Sequence, residues 1–169
     1  MLTVVLYICS ICALVCCETH KKYPVNYALL GVFTFCVSYM VAFATLHYQP
    51  LIVAEAACLT AAMVVAIAVY AATTKTDFTV CGPIMLIFFF VFSTAMLFGL
   101  IFGFVSHLAY CCFGVVLFSF YLIWDIQMII GGKNTKYKFD EDSHVLAAIV
   151  LYLDIINLFL YILEILGRK

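Results

Sequence analysis

The chain has 169 residues, 68% of them hydrophobic and 10% charged, with a mean hydropathy of +1.23. A soluble domain this apolar could not cover its own surface, so the composition predicts an integral membrane protein. A net charge of −1, with no stripe of Arg and Lys between aromatics, excludes a nucleic-acid partner and leaves the lipid bilayer as the first one.

Six apolar runs follow one another, at about 1–17, 27–46, 51–73, 81–104, 108–130 and 145–166. Each is roughly the length a helix needs to cross about 30 Å of hydrocarbon at 1.5 Å per residue. The connections ETHKKYPVN, HYQP, TKTDFT, VSH and GGKNTKYKFDEDS are short, so neighbouring helices must run antiparallel. The expected fold is all-α: one polytopic membrane bundle of six transmembrane helices, with the whole chain, 1–169, forming a single domain and nothing left for a soluble one.

The first run lacks a basic leading segment and a small-residue cleavage site before Glu18, so it reads as a span rather than a secretory signal. Its abrupt start at Met1 suggests a bundle that was once longer. Cys9, Cys12, Cys16 and Cys17 lie in this run without a second pair of ligands, and cysteine is a common small apolar membrane residue. Cys16 and Cys17 reach the boundary beside Lys21 and Lys22, a position suited to palmitoylation.

Lys21, Lys22, Lys75, Lys133, Lys136 and Lys138 fall in the first, third and fifth connections, whereas only Arg168 and Lys169 fall on the other side. The positive-inside bias places those three loops in the cytoplasm. Six spans put both termini on the non-cytoplasmic side; a re-entrant last run would return Arg168 and Lys169 to the cytoplasm. Asp140, Glu141 and Asp142 precede the last run, where acids favour the positive end of a helix dipole. Gly99 and Gly103 in MLFGLIFGF form a GxxxG pattern that predicts close helix packing. His20, His47, His107 and His144 stand at run ends, too dispersed in sequence to argue a zinc site.

The anomaly is acidic. Glu55, Asp125 and Asp154 lie inside apolar runs that contain no Lys or Arg. An ionised carboxylate at mid-bilayer costs about 2.5 kcal/mol or more, so something other than a salt bridge must hold these groups. Counted from the fifth connection, Asp125 lies roughly 10 Å deep and Asp154 roughly 15 Å, about one helical turn apart. Antiparallel neighbours can therefore bring the two together. Two carboxyls in contact cannot easily both ionise, so one holds a proton and donates it to the other.

Asp154, Asn157, Tyr161 and Glu164 recur at i, i+3, i+7 and i+10, which places them on one helix face. Glu55 is placed to flank this track from the opposite wall. Oxygen ligands without nitrogen or sulfur suit a hard cation, calcium before zinc or copper, with transient contact at Asp125 and Asp154. The residues thus predict a carboxylate-lined cation path with a proton-controlled constriction, and no cofactor beyond the permeating ion. In the competing structural reading Asp125 and Asp154 bond neighbouring hydroxyls, carbonyls or Asn157, and Glu55 snorkels to the interface. An aspartyl-protease pair would also need a GxGD-like backbone opening, which LYLDIINLF lacks, so no enzyme is expected.

The stretch FDEDSHVLAAIVLYLDIINLFLYILEILG resembles the signature end of the transmembrane Bax-inhibitor-motif family, its lifeguard branch in particular. KKYPVNYALLGVFT, EAACLTAAMVV, TKTDFT and YLIWDIQMIIGG resemble earlier segments of that family in the same order. The resemblance implies a seven-helix protein of endoplasmic reticulum, Golgi or related membranes that acts as a pH-sensitive calcium leak and a suppressor of cell death. It carries the family's paired aspartates onto Asp125 and Asp154, and Glu55 onto a further family position. The first of the seven helices has no counterpart here, so the run at 1–17 corresponds to the second and the C-terminus is expected to be luminal. The competing expectations are a non-conducting protein that restrains cell death through partner membrane proteins, and an inactive truncated member of the family.

Overall fold

The computed structural model describes residues 25–103, 106–131 and 144–168, the side chains at 83, 97, 100 and 101 excepted. The run at 1–17, with Cys16 and Cys17, lies outside the described residues, as does most of the fifth connection. The described chain forms α1 (Val25–Thr45), α2 (Pro50–Thr73), a 3-10 turn (Thr79–Cys81), α3 (Gly82–Phe102), α4 (His107–Ile130) and α5 (His144–Leu166). Among the described residues, α1, α2, α4 and α5 are long and apolar enough to cross a membrane, and α3 carries a shorter apolar stretch at Ile84–Met96. The molecule is an all-helical, multi-pass integral membrane protein.

Punctuation in the sequence sets the ends of these helices. Pro50 opens α2 at a position where its missing N–H costs nothing, after Gln49 in extended conformation. Gly103 ends α3 in the left-handed region at φ 67°, its N–H donating to the Gly99 carbonyl at 2.8 Å. This corrects the packing expectation at Gly103, which is a helix cap where a Cβ would meet nothing within 4 Å. Close glycine packing falls elsewhere, at Gly82 under the Trp124 ring and Gly114 under the Tyr161 ring.

The helices are apolar on all sides, and the outward sides remain bare: Phe35 is 71% exposed and Leu51 68%. In water such faces would aggregate, whereas lipid is their natural solvent. Inside, α4 and α5 pack most extensively, α2 packs against both, and α1 leans on α5. Phe33 and Val37 of α1 meet Val145 and Ile149 of α5, while Ala56 of α2 sits against Leu158, Ile162 and Leu163. Ala71 of α2 meets Leu122 and Ile126 of α4.

A buried carboxamide locks the α2–α3 connection onto α4. Gln127 accepts the Phe78 N–H at 2.8 Å and donates to the Thr76 and Ala71 carbonyls at 3.0 and 3.4 Å. One turn earlier, Trp124 donates to the Thr79 carbonyl at 3.2 Å. These bonds satisfy loop backbone that would otherwise be stranded beside hydrocarbon. They also fix the rotation of α4 around Asp125.

Candidate functional site

Asp125 stands on the face of α4 turned to α5, and Asp154 on the face of α5 turned to α4. Both are buried, at 1% and 6% exposure, and their carboxyls lie within hydrogen-bonding reach of each other. Both Asp125 oxygens and Asp154 Oδ2 lack any protein donor among the described residues. The two observations have one chemical meaning. Two ionised carboxylates are acceptors only, so a bond between them exists when one holds a proton.

The pair opens onto a cavity of about 720 Å³ between α3, α4 and α5. Its wall is largely aromatic, with Phe89, Phe92, Phe118 and Trp124, and its polar groups are Ser93, Tyr110, Tyr121, Asp125, Asp154, Asn157 and Tyr161. Most of these groups are held in place. Asn157 donates to the Leu153 carbonyl of its own helix at 2.8 Å, Tyr121 to the Met85 carbonyl at 2.7 Å, and the Tyr110 and Tyr161 hydroxyls meet at 2.6 Å.

Of the six residues assigned to the path from sequence, the structure gathers Asp125, Asp154, Asn157 and Tyr161 around this one cavity. Glu55 and Glu164 stand apart from it. Glu55 is exposed on α2, and no wall opposite the pair includes it. Glu164 lies further along α5, where its carboxylate meets His107 Nε2 at 2.7 Å and the buried Cys111 thiol at 3.4 Å. Sequence reasoning passed over Gln127 and Tyr110. Gln127 sits two residues beyond Asp125, and a lone amide in an apolar run is the same kind of signal as a lone acid.

A polytopic helical bundle with a buried acidic pair at the edge of a membrane-depth cavity defines the class of molecule. The particular family follows from comparison: the model for "Inhibitor of apoptosis-promoting Bax1" matches residues 1–169, and the chain belongs to that Bax-inhibitor family, alongside the lifeguard proteins. It is 37% identical over 152 residues to protein LIFEGUARD 4 of Arabidopsis thaliana, covering 86% of this chain and 59% of that one. It is 36% identical over 156 residues to LIFEGUARD 3 of the same plant, covering 87% and 59%. Against human protein lifeguard 3 the identity is 28% over 164 residues, covering 92% and 51%. The chain thus spans between half and three-fifths of the length of these curated relatives.

Proposed function

We propose that this protein is a pH-sensitive calcium leak of an intracellular membrane, gated by Asp125 and Asp154 and tied to restraint of cell death. The observation that carries the reading is the facing of two buried carboxyls, three of whose four oxygens lack a protein donor among the described residues, on the wall of a cavity between three helices. With one proton shared, the pair carries a single negative charge and forms a hydrogen bond joining α4 to α5. Without that proton, two like charges repel and admit a divalent cation between them. Asn157 and Tyr161 extend the polar lining away from the pair, with Glu164 beyond them. No catalytic step and no cofactor belong to this reading.

Support for the link to cell death comes from the family description, and for the endoplasmic reticulum or Golgi from the resemblance of the sequence to that family. Other cell-death-regulating membrane proteins are its expected partners.

The test is calcium flux through purified protein in liposomes from about pH 6 to pH 8, where a shared carboxyl proton is exchanged. Flux that varies with pH in the wild type and is insensitive to pH in Asp125→Asn and Asp154→Asn is the expected result. Unchanged flux and unchanged pH dependence in both variants would sink the gate.

A further inference from the structure

The helix ends away from the Asp pair hold a second cluster of different chemistry. His107 is the first residue of α4, and Cys111 follows four residues later on the same face. Glu164, in the last turn of the antiparallel α5, comes to meet both. His107 Nε2 lies 2.7 Å from Glu164 Oε1, Cys111 Sγ lies 3.4 Å from Glu164 Oε2, and His107 Nδ1 lies 3.7 Å from Cys111 Sγ. One nitrogen, one sulfur and one carboxylate oxygen thus stand within 4.8 Å of one another.

We propose that His107, Cys111 and Glu164 form a zinc site that clamps the start of α4 to the end of α5. The ligand set selects the metal. Thiolate with imidazole and carboxylate suits zinc, whereas calcium and magnesium take oxygen alone. Ligands of a tetrahedral ion with bonds of about 2.0 to 2.3 Å sit roughly 3.3 to 3.8 Å apart, and one atom from each of the three side chains already lies within 4.8 Å of the others, so small side-chain rotations draw them onto one ion. Burial is graded to match: Cys111 is fully enclosed, while the His107 and Glu164 side chains are 45% and 35% exposed, so the ion has a route in and water a fourth position. On binding, the Cys111 thiol proton leaves to solvent and the His–Glu contact is replaced by two metal bonds. Tyr48, in the connection before α2, faces the same cluster, with its ring against Gly167.

The site is separate from the proposed gate. Cys111 lies about 21 Å along α4 from Asp125, and Glu164 about 15 Å along α5 from Asp154. Its test therefore reads metal rather than flux.

Purified full-length chain, stripped with chelator and titrated with Zn2+ alone, is expected to retain one tight equivalent that Ca2+ and Mg2+ do not displace. Zinc-edge X-ray absorption on that wild-type sample is expected to show one sulfur and otherwise nitrogen or oxygen neighbours. His107→Ala, Cys111→Ser and Glu164→Gln should each weaken binding at least tenfold. No retained zinc in the wild type, or a zinc shell without sulfur or with several sulfurs, overturns the site whatever the variants do. Equal affinity in all three variants overturns it as well, by placing the ion elsewhere.

Discussion

Tyr161 closes over Gly114: a Cβ built on Gly114 would stand 2.8 Å from the Tyr161 ring. The close approach lets α5 lay this ring on α4 beside Phe118, with its hydroxyl on Tyr110. The ring and its hydroxyl form one wall of the cavity. Gly114→Ala forces the ring aside, and overpacking of this kind costs about 1 to 3 kcal/mol. Thermal unfolding in detergent should register the loss, whereas Gly31→Ala, where a Cβ meets nothing within 4 Å, should stay near wild type. Equal behaviour of the two variants would show that the α4–α5 approach is looser than described.

Gln127→Glu preserves shape and removes two donors. The Phe78 N–H keeps its acceptor, but the Thr76 and Ala71 carbonyls then face a carboxylate instead of an amide. Loss of buried partners costs about 1 to 3 kcal/mol. Because the loop depends on this residue, limited proteolysis between α2 and α3 should accelerate in Gln127→Glu ahead of any loss of helix content. A loop as resistant as the wild type would mean that Trp124 alone holds it.

The helices from 25 onward were legible because each is an apolar run with a clear stop: the expected 51–73 and 108–130 became Pro50–Thr73 and His107–Ile130. The meeting of Asp125 with Asp154 followed from depth alone, since adjacent antiparallel helices convert sequence position into height. What sequence could not supply was rotation. Glu55 has a plausible depth but sits on the exposed face of α2, and periodicity in a helix apolar all round does not say which face turns inward. The His107–Cys111–Glu164 cluster stayed hidden for a related reason, since its third member lies 53 residues beyond Cys111 and only the packing of α4 on α5 unites them.

Tyr48 offers a pH-dependent readout outside the membrane-spanning helices. Burial first, then the nearby Glu164 and Cys111, raise its phenol above the ordinary value of 10.0. A group whose folded pKa is raised contributes stability that is present below its unfolded pKa and is lost as pH rises through the folded one. Stability of the wild type should therefore fall as pH climbs beyond 10.0, and Tyr48→Phe should soften that fall while leaving neutral pH little changed. Parallel alkaline curves for the two proteins would remove Tyr48 from the cluster.

The carboxyl pair itself can be tested by non-additivity. Asp125→Leu leaves Asp154 buried without its acceptor, and Asp154→Leu does the same to Asp125; each should cost about 1 to 3 kcal/mol. In the double variant both polar groups are gone and α4 meets α5 through two apolar side chains. Its loss should fall short of the sum of the single losses by about 1 kcal/mol or more, the coupling expected of side chains in contact. Unfolding free energies of the four proteins in one detergent give that coupling directly. Additive losses would mean that the two carboxyls do not share a bond, and the proton-controlled joint between α4 and α5 would lose its physical basis.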